Sequence, residues 1–169
     1  VALSDAVSSF SPVPPSINWP NDIMAGSKKL AGVLTEAVSD SRQIEFVILG
    51  IGVNVNYALE SMPPEIRELA TSLSILASQS ISREDFLRRL IQDLDRCYAI
   101  LQEEGFAVLA PQWDARFGLR GRSVRVVMTD GAIAGRAVGI DADGLLILEG
   151  TGGRQRIVAG DVIPVEDEN

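Results

Sequence analysis

The chain changes character at Gly118, and that change limits its fold more than any other feature. From Gly121 to Val165 the runs SVRVVM, AIAGRAVGI, LLILEG and RIVAGDVIPV are separated by TDG, DADG and TGGRQ. Short strand-like runs broken by turns at such close spacing predict a small five-stranded barrel. Upstream of Gly118 the pattern mixes helical and strand periods, which predicts an α/β or α+β unit. The boundary falls near Gly118 to Arg120, giving units of 1–118 and 119–169.

Within the first unit, VALSDAV reads as the end of an amphipathic helix, stopped by the Pro-rich SPVPPS. Pro20 disfavours a helix at Trp19, so INWP reads as a strand end and Asn21-Asp22 as a turn. Gly26-Ser27 is a hairpin signal, and KLAGVLTEAV continues as a strand. Gln43 to Tyr57 is rich in β-branched residues, and its apolar run predicts a strand buried on both faces. MPPEIRELATSL predicts a short helix. Ser82 is an N-cap with Asp85 three residues on, followed at helical spacing by Phe86, Leu87, Leu90, Ile91, Leu94, Tyr98 and Leu101. Gly105 ends that helix, and a second, about Ala107 to Phe117, carries Trp113. Cys97, Trp113 and the leucine stripe read as core. The tail EDEN reads as acidic and frayed.

Composition narrows the chemistry. The 169 residues are 46% hydrophobic and 22% charged, as expected of a globular protein. A net charge of -8 argues against a general nucleic-acid binder, since phosphate neutralisation needs clustered Lys and Arg. The single cysteine forbids an intrachain disulfide, in keeping with a reducing, cytoplasmic compartment. With no histidine, His triads and His metal sites are excluded. No apolar run reaches the ~20 residues of a membrane helix, and Val1 to Phe10 has no signal-peptide pattern.

Two segments carry polar groups where chemistry needs them. Asp22 and Lys29 flank the hairpin turn, so both fall near one end of the sheet. A lysine there suits a carboxylate or phosphate, and the aspartate suits a metal ion or an incoming amine. Taken alone, the same charges also fit a solvated surface hairpin. In GIGVNVN, Gly50 and Gly52 suggest close approach by a ligand or backbone, and Asn54 and Asn56 offer amides to a heterocycle edge. A glycine-relieved core strand fits equally. A Rossmann fingerprint would need glycine at Val55 and a helix there. GLRGRS and GTGGRQR lack the Lys-Ser/Thr pair of a P-loop and read as linker and turn.

The order WPND, KKLAG, a following Glu, GIGVNVN, ATSL, the helix pair ending in Trp and GRSV resembles biotin protein ligase over essentially the whole chain. The resemblance implies a mixed sheet with packed helices, as in the biotin/lipoate ligase catalytic domain, followed by a small SH3-like barrel. It implies that ATP and biotin form biotinyl-adenylate and that the biotinyl group passes to a lysine of a carboxyl carrier protein. The family's central lysine falls on Lys29, which would hold the biotin carboxylate and the α-phosphate together. Asp22 would position Mg-ATP or the acceptor lysine and is the one candidate ligand for Mg. Gly32, Gly50 and Gly52 would lie along biotin, with Asn21 and Asn54 at the nucleotide. The partners implied are the carrier protein and a second copy in a homodimer, with neither nucleic acid nor membrane.

Two departures from the family pattern are visible. Asn18 stands where the family usually has Lys before WPND. Val1 to Asn18 supplies neither the family's Gly- and Arg-rich adenylate loop nor its Ser/Thr biotin segment. The chain therefore resembles the carboxyl-terminal two-thirds of a catalytic core, and the expectation is that alone it makes little biotinyl-adenylate. A non-catalytic homologue acting as a binding module and a lipoate-type ligase are the alternative readings.

Overall fold

The computed structural model describes residues 1–40 and 43–165. The chain runs α1 (Ala2–Ser8), β1 (Pro15–Asn18), β2 (Asp22–Ala25), β3 (Lys28–Ser39) and β4 (Ile44–Val53). Two single 3-10 turns at Leu59–Ser61 and Pro64–Ile66 follow. Then come α2 (Leu73–Ala77), α3 (Arg83–Glu103) and α4 (Phe106–Asp114), and finally β5 (Ser123–Met128), β6 (Gly131–Ile140), β7 (Leu146–Gly150), β8 (Gly153–Ile157) and β9 (Asp161–Pro164). The tail EDEN lies outside the described residues.

The first four strands form an antiparallel meander in chain order. Leu3, Ala6 and Val7 of α1 and Phe86 and Leu90 of α3 pack against Ile17, Ile23, Leu30 and Ala31 of the sheet. Ser82 caps α3 as expected, its hydroxyl accepting the Asp85 N–H at 3.2 Å. The last five strands form an antiparallel sheet in the order β8-β7-β6-β5-β9, the five-stranded unit expected from the turn spacing and implied to be SH3-like by the family resemblance. Its core is Val124, Val126, Ala137, Leu146, Leu148 and Ile157.

The two sheets are tied together. Trp19 belongs to the β1–β2 turn yet is buried in the second core, and its indole N–H donates to the Gly144 carbonyl at 3.1 Å. Ile17 N–H donates to Arg116 O and Gly118 N–H to Ile17 O, at 2.8 and 3.0 Å. A side chain at Gly118 has no room, because a Cβ there would lie 2.8 Å from Ser16 Oγ. Trp113 stacks on Phe117 at 5.3 Å and packs against both cores.

Four expectations fail. The strand expected over Gln43 to Tyr57 covers only Ile44–Val53 and is not buried on both faces. Phe46, Val47, Ile48 and Leu49 are consecutive and each about half exposed, so both faces are open. β4 is also a sheet edge: its apolar run has β3 on one side and no strand among the described residues on the other. The α3 stripe is wider than its core. Phe86 and Leu90 are buried and Leu94 partly so, but Leu87, Ile91, Tyr98 and Leu101 are exposed. Cys97 is only half-buried. In place of one short helix in MPPEIRELATSL there is a single 3-10 turn at Pro64–Ile66, and α2 begins only at Leu73, the last residue of that stretch.

A long apolar edge is a template for pairing with another chain. The 169-residue chain is therefore expected to self-associate as its concentration rises, and Val47→Lys to shift it towards monomer in sedimentation velocity; a wild-type chain monomeric throughout contradicts this. Gly118→Ala is expected to lower stability by about 1–3 kcal/mol through overpacking against Ser16, read from the urea midpoint; an unchanged midpoint contradicts the tight seating.

Candidate active site

The site grows from the β2–β3 hairpin. Gly26, at φ +61°, closes the two-residue turn with Ser27, where a positive φ favours glycine. From the turn outward Ala25 pairs with Lys28 and Met24 with Lys29, but Ile23 then pairs with Ala31 and Asp22 with Gly32. Leu30 is the extra residue of a β-bulge. Without it, Asp22 would face Ala31, whose methyl would project on the Asp22 side of the sheet. With it, Leu30 and Ala31 both enter the core and Gly32 stands opposite Asp22.

Lys29 Nζ meets Asp22 Oδ1 at 2.6 Å. A Cβ on Gly32 would lie 3.3 Å from that oxygen and 3.5 Å from the lysine nitrogen. Gly32 is thus small because the ion pair lies directly over it. The Lys29 backbone is held from the other side: its N–H donates to Leu69 O and its carbonyl accepts from Thr71 N–H, at 2.8 and 2.9 Å. Lys28 diverges to the Arg67 carbonyl at 3.1 Å and to Glu68 at 3.6 Å. The Lys29 side chain is 50% exposed and that of Asp22 30%. A pair so exposed adds at most about 1 kcal/mol of stability, so stability does not account for its careful placement.

Two cavities meet at this pair. One, of about 740 Å³, is lined by Lys29, Leu30, Ala31, Gly32, Gly52, Val53, Asn54, Ile66, Leu69 and Ala70, and is mainly apolar. The other, of about 460 Å³, is a polar cleft between the hairpin and the second sheet, with Asn18, Asn21, Asp22, Lys29, Arg122 and Asp161 in its walls. Lys29 lines both.

The other expected residues distribute as follows. Gly52 pairs with Gly32 across β3–β4 and opens onto the apolar cavity, with nothing within 4 Å of a would-be Cβ. Gly50 lies opposite Leu34, one pleat away, and lines neither cavity. The Asn54 amide donates to Thr71 O at 3.0 Å while the residue lines the apolar cavity. The Asn21 amide donates to Val33 O at 2.7 Å from the rim of the cleft. Asn56 is not available to a ligand edge. Its amide both donates to Ile81 O and accepts Ile81 N–H, at 2.7 and 2.9 Å. GTGGRQR spans the β7–β8 hairpin turn at Thr151-Gly152 and runs on into β8, joining two strands as expected.

Sequence reasoning did not find the cavity wall formed by Ile66, Leu69 and Ala70, nor Arg122 and Asp161 of the second sheet. The wall's one signal is ATSL. Ala70 is the small residue bridged to Lys29, Thr71 is buried, and the buried Ser72 caps α2 by accepting Ile75 N–H. In chemical terms, a fixed ammonium stands between an apolar cavity and a polar cleft. That arrangement suits an acid with an apolar body, its carboxylate at Lys29, reacting with a polar partner. No group of three or more acidic or cysteine side chains able to hold a metal occurs among the described residues.

Comparison with known proteins gives the chain's relatives. The profile of the biotin/lipoate A/B protein ligase family matches residues 2–54, and that of the biotin protein ligase C terminal domain matches residues 120–163. The chain is 36% identical over 168 residues to the biotin–[acetyl-CoA-carboxylase] ligase of Mycobacterium tuberculosis, covering 96% of this chain and 59% of the relative. It is 32% identical over 162 residues to the bifunctional ligase/repressor BirA of Bacillus subtilis, covering 96% and 50%. The chain thus spans about half to three-fifths of these relatives' lengths. Among solved structures, the biotin protein ligase of Aquifex aeolicus in complex with biotin and ATP superposes with a TM-score of 0.84 at 26% identity, covering 98% of this chain and 68% of that one. Matched near both ends by these profiles and sharing its fold with these ligases, the chain belongs to the biotin protein ligase family.

Proposed function

We propose that the protein carrying this chain joins biotin to ATP to give biotinyl-5'-adenylate and pyrophosphate, then transfers the biotinyl group to a lysine of a carboxyl carrier protein. The observation that supports this most is the Lys29–Asp22 pair at the junction of the two cavities, with Gly32 beneath it. Biotin's apolar body takes the larger cavity, passing Gly32 and Gly52, with its carboxylate at Lys29 Nζ. A carboxylate oxygen attacks the α-phosphorus, and pyrophosphate leaves. Both reactants are anions, so a fixed ammonium between them lowers the barrier as charge gathers on the phosphate oxygens.

Asn54 on the cavity side and Asn21 on the cleft side flank the nucleotide at this junction. Magnesium enters as part of Mg-ATP. Asp22 offers it one carboxylate, in line with a cation that relies mainly on phosphates and water. Asp22 then orients the acceptor amine once pyrophosphate has gone. The matched biotin-ligase C-terminal profile favours biotin over lipoate. We assign residues 1–118 to the catalytic unit and 119–169 to the barrel. The open β4 edge is the surface on which a second copy would pair. The net charge of -8 favours a protein partner over nucleic acid, and the lone cysteine fits a cytoplasmic setting. No described helix is long and apolar enough to cross a membrane.

The test is biotin-dependent ATP–pyrophosphate exchange by the protein as its gene encodes it. Lys29→Ala is expected to lower the exchange rate about 10²–10³-fold, the usual loss for one well-placed electrostatic group, with the unfolding midpoint moved little. Exchange within a few-fold of wild type would remove Lys29 from the mechanism.

A further inference from the structure

The apolar cavity has a wall with little to lean on. Ile66, Leu69 and Ala70 form it, and neither Ile66 nor Leu69 belongs to either hydrophobic core. Leu69 is 63% exposed and Ile66 37%. Side chains that pack against so little protein do not hold themselves in place, so the wall depends on polar ties.

Those ties can be named. Within the segment the Arg67 guanidinium braces the turn, Nε donating to Met62 O at 2.9 Å and Nη2 to Glu60 O at 3.1 Å. Met62 is fully buried and anchors the start. At the other end the Lys29 backbone bonds to Leu69 O and Thr71 N–H. Between these anchors, among the described residues, one outside side chain reaches the wall. Lys28 Nζ donates at 3.1 Å to the Arg67 carbonyl, which lies between Ile66 and Leu69 in the chain. Glu68, at 3.6 Å from the same ammonium, has a side chain 91% exposed and adds little.

The two adjacent lysines thus have different duties. Lys29 meets Asp22 where both cavities open. Lys28 lines neither cavity. Accepting the ligation reading above, we propose that Lys28 is a positioning residue for biotin. Through the Arg67 carbonyl it keeps Ile66 and Leu69 against the apolar body of the acid, and it takes no part in the reaction at Lys29. Biotin meets a complete cavity only while the wall is in place, so its apparent affinity scales with the fraction of molecules held that way. An ammonium–carbonyl bond is charge-assisted and strong enough to set that fraction.

The test compares Lys28→Met, which keeps the apolar stem and removes the donor, with Lys28→Arg and Glu68→Gln, in the protein as its gene encodes it. Calorimetry without ATP reads the biotin Kd. Biotin-dependent ATP–pyrophosphate exchange reads the saturated rate and the KM for ATP. Deuterium uptake without biotin reads the amides of residues 66–71. Lys28→Met is expected to raise the biotin Kd about tenfold, as for one lost charge-assisted hydrogen bond, and to speed uptake at those amides. The saturated rate and the KM for ATP should stay within about twofold of wild type. Lys28→Arg should largely recover the affinity, and Glu68→Gln should keep it within about twofold. An unchanged Kd in Lys28→Met overturns the proposal. So does a raised Kd with unchanged uptake, which would set the ammonium on biotin itself. A fall in the saturated rate would give Lys28 a share in the chemistry, and a Kd raised equally by Glu68→Gln would assign the effect to the ion pair; both overturn it. Each of these results leaves the ligation reading intact, whereas wild-type protein that neither binds biotin nor supports exchange overturns both.

Discussion

A single inserted residue sets the geometry of this protein. Leu30 is the bulge residue between β2 and β3, and it rephases the strand by one position. Its own side chain is fully buried, so core packing holds the bulge in place. The rephasing brings glycine opposite Asp22, leaving space over which Lys29 and Asp22 can meet at 2.6 Å. An unbulged hairpin would keep both charged residues on one face but set a methyl group beneath them. The ion pair contributes little to stability at its exposure. The strand irregularity is therefore best understood as serving the site, as bulges beside active sites often do.

Around that hairpin the molecule is organised as two walls. The 66–71 segment closes the apolar cavity by running beside Lys29 as an isolated parallel bridge to Ala70. The second sheet closes the polar cleft, and its position depends on contacts made by WPND itself. Trp19, three residues before Asp22, is a core residue of the other unit. Gly118 lets the segment after Phe117 lie close against β1, where an added Cβ would come within 2.8 Å of Ser16 Oγ. The same short stretch thus supplies Asp22 to the candidate site and Trp19 to the seating of the barrel. A change in WPND is expected to affect both.

Much of this was legible in the residues. Gly26-Ser27 announced the hairpin, Ser82 the start of α3, and the turn spacing after Gly118 the five-strand unit, because each depends on local backbone chemistry. The two-faced exposure of β4 was not legible. An apolar run states what a strand can bury, not which layers cover it. The exposed flank of α3 failed for the same reason. Asn56 resembled a ligand-reading amide but is spent on Ile81, a contact 25 residues away. Arg122 was hidden in GLRGRS, a linker by every local criterion, because its place in the wall of the cleft that also holds Lys29 arises only when the two sheets dock.

The central proposal is that the Lys29–Asp22 pair stands between an apolar cavity that takes the biotin body and the polar cleft. The most direct measurement is a crystal structure of the protein with a non-hydrolysable biotinyl-adenylate analogue. The account predicts the biotin body in the cavity bounded by Gly32, Gly52 and Ala70, and the acyl-phosphate linkage within hydrogen-bond distance of Lys29 Nζ. An analogue with its biotin body lying in the polar cleft, or with its linkage away from Lys29, would contradict it.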